Sequence, residues 1–370
     1  MRVKVNRNAV VELLDVLLAR WRTTPRQYPF NRKDAILPQT TLPANLRENK
    51  RVLACFYFYA CVYMRGGIES LQAFAALVRI WKKYPHLFEP AYAAMLPPDY
   101  VQSILKEYIG WDSRAASRYW VENSRRLMQH WSGNPLLLVS GARSYNEALR
   151  RVKNKRTKRE LKEVGLKNGG FLGFQPKMVS MLVYFYDWEG WLKPRFLYPA
   201  PADFHNFRLA LATEAMIVEG LEDNIIRTSE KISRPWREAV MSYLKARKAD
   251  PIEVADVLWL FSLLMCGYSP ATTTKEINGG GLLFVHAGVA EEWRVGEWAI
   301  RKRRGFEKTC LVCPFLARCK YGIPSKPYYR KGLLVLRERP KIEEHVDPKL
   351  VPDPIGGKKV IVLPTNMSWI

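Results

Sequence analysis

Apolar residues in the first part of the chain recur at helical spacing. The segment AVVELLDVLLARW carries them every three or four positions, at Val10, Leu13, Leu14, Leu17, Leu18 and Trp21. This spacing predicts one buried face of an amphipathic helix. The segments ENKRVLACFYFYACVYM and GIESLQAFAALVRIWKKY lie on either side of Gly66 and Gly67 and predict two more buried helices. Pro97 and Pro98, followed by Asp99, are typical of a helix start. The pattern predicts an all-α fold.

Strand signals are few. The segment GKKVIVLP near the C-terminus alternates weakly and predicts a strand that pairs locally. The residues after about Pro324 are rich in proline and lysine and predict an extended tail wrapped on the body. We expect two helical lobes flanking a cleft. Four regions are predicted: an N-terminal helical region (1–165), a helical core (166–300), a cysteine loop (301–325) and the tail (326–370).

The charge indicates a polyanionic partner. The 370 residues include 59 Lys+Arg and 35 Asp+Glu, a formal net charge of +24. The basic residues are clustered: RRVKNKRTKRELK contains Arg156 and Lys158 and only one acid, Glu160, and RKRRG begins at Arg301. A basic proteome or a solvated surface is the simpler explanation, but two clusters favour phosphate contacts. We expect nucleic acid rather than a membrane, because the longest apolar run is too short to span a bilayer.

Cysteine usage indicates an intracellular protein with ligands rather than disulfides. No secretory signal precedes the first helix, so we expect a reduced, cytoplasmic or nucleoid-associated protein. Cys55 and Cys61 lie in a strongly apolar segment and are predicted core residues. Cys310, Cys313 and Cys319 lie in CLVCPFLARC, where Pro314 follows the second cysteine and basic residues surround the segment. This setting favours a metal or cluster site over three unligated buried thiols.

Two segments carry candidate chemistry. In NGGFLGFQPKMVSML, a glycine turn that includes Gly173 leads into a helix with Pro176 in its first turn and Lys177 next to it. Such a helix N-terminus presents free N–H groups that suit a phosphate. In YPAPADFHNFRLALAT, Asp203 follows two prolines at the start of a second helix. An isolated aspartate there is an ordinary N-cap, but the combination with Lys177 and the cysteines favours a functional site.

These residues resemble the helix–hairpin–helix DNA glycosylase superfamily, especially its endonuclease III branch. LGFQPKMVSML is similar to the family hairpin, and PADFHNFRLA is similar to its Val-Asp-Thr-His-Val-x-Arg block. The resemblance implies that Lys177 is the catalytic lysine and Asp203 the catalytic aspartate. Gln175 takes the place of the second hairpin glycine. The resemblance implies DNA contacts at Gly173, Gln175, His205 and Arg208, and the basic cluster adds Arg156 and Lys158.

The resemblance also implies a [4Fe–4S] cluster. The branch ends in Cys-x6-Cys-x2-Cys-x5-Cys, and the last three cysteines match in spacing, but Arg303 stands where the first is expected. A cubane cluster held by protein alone needs four thiolates. Cys266 is the preferred fourth ligand, with Cys55 or Cys61 as alternatives. Zinc held by three cysteines and a histidine such as His286 is the other option. The predicted ligands are Cys310, Cys313, Cys319 and Cys266.

The implied activity is base excision from double-stranded DNA by a monomeric enzyme. Asp203 would stabilise positive charge developing near C1′ of a flipped nucleotide. Lys177 would attack C1′ to form a Schiff base and add lyase activity, although a phosphate-facing or solvated lysine is an equally simple interpretation. Two alternatives stay open. One is a transferase that modifies a thymine-derived base, as in the α-glutamyl/putrescinyl thymine pyrophosphorylases, also called amino acid:DNA transferases. The other is a catalytically silent nucleic-acid-binding protein.

Overall fold

The computed structural model describes residues 2–64, 70–109, 114–153, 170–219, 225–266, 273–277, 281–285, 312–315, 328–330, 333–335 and 360–364. Most of these residues are helical, as the apolar spacing predicts. The chain divides into two compact units. The first unit comprises residues 1–35, 202–249 and 253–370, and the second comprises residues 36–201 and 250–252. The four regions expected from the sequence are consecutive stretches of the chain, whereas each of these units joins segments that are distant in sequence. The division into four regions stays a prediction.

The second unit is a helical assembly. Its helices are α2 (Ala44–Arg47), α3 (Lys50–Tyr63), α4 (Ser70–Lys83), α5 (Pro90–Ala93), α6 (Pro98–Ile109), α7 (Arg114–Trp131), α8 (Tyr145–Lys153) and α9 (Pro176–Trp188), with 3₁₀ turns at Pro38–Thr41, Pro85–Phe88 and Pro135–Leu138. Helix α6 begins at the second proline of its predicted start signal, with Asp99 in its first turn. Helix α9 packs on α3 and α8, and α7 packs on α5 and α6.

Helix α3 forms the centre of the second unit. Every residue from Leu53 to Tyr63 is buried, so the helix contacts neighbours on all sides. Its rings stack on aromatic residues from four different segments, in the pairs Phe56 with Phe88, Tyr57 with Phe185, Phe58 with Phe174 and Tyr59 with Trp120. The aromatic run is therefore core, as the sequence indicates.

The first unit joins the N-terminus to the C-terminal helices. It contains β1 (Arg2–Val5), α1 (Arg7–Arg22), α10 (Phe204–Ala212), β2 (Met216–Glu219), α11 (Ile225–Arg247) and α12 (Pro251–Leu264), of which α12 starts in the second unit. The predicted apolar face of α1 is buried from Val10 to Trp21. Helix α1 packs on α11, and α10 packs on β2. The N-terminal segment thus packs with helices from the C-terminal part of the chain.

Strands contribute little among the described residues. Strand β1 pairs antiparallel with β2, with Val5 opposite Met216. The remaining strands are β3 (Thr273–Ile277), β4 (Gly281–Val285), β5 (Tyr328–Arg330), β6 (Leu333–Val335) and β7 (Val360–Pro364). The predicted C-terminal strand forms as β7, but it pairs with the distant β4 rather than locally. Among the described residues, no helix combines the length and apolarity needed to span a membrane.

Candidate functional site

The glycine turn before Lys177 is tightly built. Gly173 has φ +85°, a left-handed conformation that favours glycine. A Cβ on Gly170 would lie 2.2 Å from the carbonyl oxygen of Lys153, so no side chain fits there. Phe174 stacks on Phe58 of α3 with ring centroids 5.0 Å apart. The turn is therefore fixed both by backbone contact and by the aromatic core.

Asn123 of α7 makes two hydrogen bonds to the backbone of the same turn. Its amide nitrogen donates to the Leu172 carbonyl at 2.9 Å, and its amide oxygen accepts from the Leu172 N–H at 2.7 Å. Asn123 is fully buried, so these bonds replace water at both backbone groups. No signal in the sequence indicated this role, since an isolated asparagine in a helical pattern does not reveal its partner.

Lys177 lies in the first turn of α9, directly after Pro176. Gln175 is the N-cap of this helix and is exposed, and its side chain makes no capping hydrogen bond. Lys177 is half-buried. Burial raises the pKa of the Cys61 thiol, and the positive charge of Lys177 lowers it by a smaller amount. Lys177 belongs to the second unit and Asp203 to the first, so their convergence stays a prediction.

An ion network holds the segment that approaches Asp203. Arg195 donates from Nε to Asp187 Oδ1 at 2.8 Å and from Nη2 to Asp187 Oδ2 at 2.8 Å. The Tyr198 hydroxyl donates to the same Oδ2 at 2.9 Å. The Asp187 side chain is only 3% exposed. Hydrogen bonds with Asp187 and then Asp250 raise the pKa of Arg195. The chain is thus anchored to α9 a few residues before it enters the first unit.

Asp203 caps α10 through one carboxylate oxygen. Its Oδ1 accepts from the backbone N–H of His205 at 3.0 Å and of Asn206 at 3.2 Å, and from the Asn206 side-chain amide at 3.1 Å. No described residue donates to Oδ2. Asp203 is 7% exposed. The N-cap interpretation is therefore correct as a description of the local structure, and it occupies only one of the two oxygens.

The residues after Asp203 belong to the same buried layer. His205 is 8% exposed, with its Nδ1 3.4 Å from Ser262 Oγ and its ring 6.1 Å from that of Trp259, both on α12. These contacts hold the His205 ring against α12, and contact of His205 with DNA stays a prediction. Arg208 lies on α10. Arg156 and Lys158 lie outside the described residues.

Two of the four predicted cluster ligands can be placed. Cys266 follows the end of α12, Cys313 lies in the short described segment 312–315, and both are half-buried. The Phe315 ring contacts Phe261 of α12 with centroids 5.5 Å apart. This contact places the described segment 312–315 against the C-terminal half of the helix that precedes Cys266. Cys310 and Cys319, like His286, lie outside the described residues.

The alternative cluster ligands from α3 fit poorly. Burial raises the pKa of the Cys55 thiol to about 12 and also raises the pKa of the Cys61 thiol. A metal ligand must be a thiolate, which such surroundings disfavour. Within the ranges that the structure describes, no group of three or more His, Cys, Asp or Glu residues is placed to hold a metal ion. Of the candidates for the fourth ligand that are described, Cys266 fits best.

Comparison with known proteins yields a distant structural likeness. No family model and no curated protein matches the sequence. One solved structure that the chain resembles is a trapped endonuclease III–DNA covalent intermediate, an estranged-adenine complex. The two chains are 11% identical, the match covers 86% of this chain and 97% of the other, and the TM-score is 0.45. A likeness at that score carries no argument about function.

Proposed function

We propose that this chain is a DNA-binding enzyme that takes a base out of duplex DNA and acts on it, as an N-glycosylase with Asp203 as its catalytic carboxylate. The observation that carries the proposal is the arrangement at Asp203. The carboxylate is almost buried, Oδ1 accepts three hydrogen bonds, and Oδ2 accepts none from the described residues. A fixed carboxylate with one available oxygen is suited to stabilise nearby positive charge.

Base release creates positive charge on the sugar. The C1′–N bond breaks, its electron pair leaves with the base, and the sugar develops oxocarbenium character that the carboxylate stabilises. Water then adds to C1′ and loses a proton. If Lys177 is the nucleophile instead, its neutral amine bonds to C1′ as the base leaves with the electron pair of the C1′–N bond. The nitrogen then loses a proton and the C1′–O4′ bond opens, with O4′ taking up a proton, and the product is a Schiff base that can lead to strand cleavage.

DNA binding is supported by charge and by the glycine turn. A formal net charge of +24 favours a polyanion and predicts affinity that falls steeply with salt. The turn from Gly170 to Gln175 is rigid and leads into the N-terminus of α9, where Gln175 leaves the backbone N–H groups uncapped by a side chain. That terminus is a suitable phosphate contact.

The test is product analysis on a panel of duplexes carrying damaged or mismatched bases, with and without borohydride. Wild-type protein should release free base, and Asp203→Asn should slow release about 100-fold or more. Asp99→Asn is the matched control, because Asp99 is an exposed aspartate in the first turn of α6. Base release that is unaffected by Asp203→Asn would contradict the role given to this carboxylate.

Other products would distinguish the remaining functions. A borohydride-trapped complex that is lost in Lys177→Ala but kept in Lys82→Ala indicates a lyase. The transferase would act on DNA that carries pyrophosphorylated hydroxymethyl-pyrimidine in the presence of an amine. A product heavier than the unmodified hydroxymethyl-pyrimidine DNA indicates this activity. Salt-dependent binding of duplex with none of these products indicates a silent DNA-binding protein and overturns the enzymatic proposal.

We further propose that Cys266 completes a [4Fe–4S] site with Cys310, Cys313 and Cys319. The contact between Phe261 and Phe315 supports this, because Phe315 lies two residues after Cys313 and Phe261 lies on the helix that leads to Cys266. Purified protein should have a broad visible absorbance band and bind iron and sulfide in equal amounts. Cys266→Ser should reduce both, whereas Cys55→Ser should not. A colourless protein that contains zinc would favour the alternative metal.

A further inference from the structure

Asn206 connects Asp203 to a neighbouring helix. The Asn206 side chain is 2% exposed, and its amide nitrogen donates to Asp203 Oδ1 at 3.1 Å. Its amide oxygen accepts from the indole Nε1–H of Trp236 at 3.2 Å. Trp236 lies on α11 and is fully buried. A continuous chain of hydrogen bonds therefore runs from α11 through α10 to one oxygen of Asp203.

The chemistry of the three groups allows only one orientation of the amide. An indole N–H only donates, an ionised carboxylate only accepts, and an asparagine amide has one end of each kind. Rotating the amide by 180° would place its oxygen against the carboxylate and its NH₂ group against the indole N–H. Trp236 therefore fixes the orientation of Asn206, and Asn206 in turn presents a donor to Asp203.

This donor is more than helix capping requires. The two backbone N–H groups at His205 and Asn206 already make Asp203 an ordinary N-cap. The third bond, from the Asn206 side chain, meets the same oxygen and adds a further restriction on rotation of the carboxylate about its Cβ–Cγ bond. Its consequence is that Oδ2 keeps one position.

We propose that Asn206 and Trp236 are positioning residues that hold the Asp203 carboxylate so that Oδ2 faces the reacting sugar. This inference rests on the proposed function, in which Asp203 stabilises charge at C1′. Neither residue contacts the substrate in this scheme. Both act through the orientation of Asp203, and a misplaced catalytic group lowers the rate of the chemical step more than it weakens binding.

The experiment compares single-turnover base release with the Kd for the same duplex. Trp236→Phe keeps the ring and removes only the donor, and Asn206→Leu replaces the amide with an apolar group of similar size. Both should lower the single-turnover rate tenfold or more while Kd changes less than about twofold. Trp120→Phe is the matched control, because the indole N–H of the fully buried Trp120 donates to the Leu87 carbonyl in the second unit. Trp120→Phe should lower the melting temperature about as much as Trp236→Phe does and should leave the single-turnover rate of base release unchanged.

The outcomes distinguish failure of the positioning role from failure of the proposed function, base release with Asp203 as the catalytic carboxylate. If wild-type protein releases base, Asp203→Asn does not, and Trp236→Phe matches Trp120→Phe in rate, the positioning role is wrong and the proposed function stands. If the variants change Kd and rate equally, the residues are only structural and the positioning role is also overturned. If neither wild type nor variants release any base from the panel, the proposed function fails and the positioning role fails with it.

Discussion

Replacing Asn123 by alanine should loosen the glycine turn before Lys177. The substitution removes both hydrogen bonds to Leu172, at 2.7 and 2.9 Å, from a fully buried site. Each bond contributes about 0.5–1.5 kcal/mol net, and leaving the Leu172 N–H and carbonyl unsatisfied adds to the loss. We therefore expect the free energy of local opening of the turn to fall by about 2–4 kcal/mol.

Hydrogen exchange measured by mass spectrometry is the appropriate assay, because the change is local. A loss of about 2–4 kcal/mol corresponds to roughly 30- to 700-fold faster exchange in the peptide that contains residues 170–175, since about 1.4 kcal/mol is tenfold. Asn134→Ala is the matched control. Asn134 also bonds a backbone N–H, that of Leu136 at 3.1 Å, but at the separate 3₁₀ turn Pro135–Leu138.

The reasoning would be refuted if hydrogen exchange in the peptide that contains residues 170–175 were unchanged in Asn123→Ala. It would also be refuted if Asn134→Ala accelerated exchange in that peptide by the same factor. If the turn also contacts phosphate, Asn123→Ala should weaken duplex binding and reduce its salt dependence, whereas Asn134→Ala should leave both unchanged.

Three further predictions concern other buried groups. Arg195→Met should destabilise the protein by about 3–5 kcal/mol, because it leaves the buried Asp187 carboxylate without its ion partner; the double variant with Asp187→Asn should recover much of this in thermal unfolding, and no recovery would contradict the pairing. Tyr57→Phe should cost about 1–3 kcal/mol by removing the 2.6 Å bond from the hydroxyl to Glu189, and a double-mutant cycle with Glu189→Gln that gives no coupling would exclude that bond as the cause. The pKa of Cys55 is raised to about 12 by burial, so the folded protein keeps a proton that the unfolded thiol loses above about pH 8.5. This stability contribution is fully present below about pH 8.5 and is lost as the pH rises towards 12; Cys55→Ala should flatten the decline in denaturant midpoint above pH 8.5, and an unchanged slope would count against the burial.

Local patterns in the sequence were enough to predict the helices. The apolar face of α1, the buried helix α3, the start of α6 at the proline pair and the entry of Lys177 into α9 all follow from spacing and capping signals within a few residues. Asp203 at the start of a helix was predictable for the same reason, as was the burial of Cys55 and Cys61. Short-range backbone geometry determines these features, so the order of residues contains them.

Only the tertiary structure decided which distant residues meet. Asn123 and Leu172 are 49 residues apart and Trp236 and Asn206 are 30 apart, and β7 pairs with β4 rather than with a local partner. Such contacts leave no periodicity in the sequence, because a hydrogen bond between distant residues depends on how whole helices pack. The sequence by itself determined an aspartate at a helix start in a strongly basic chain. The packing of α11 against that helix start decided that one oxygen of the aspartate also accepts from an oriented side chain, because only folding brings the Trp236 indole to the Asn206 amide.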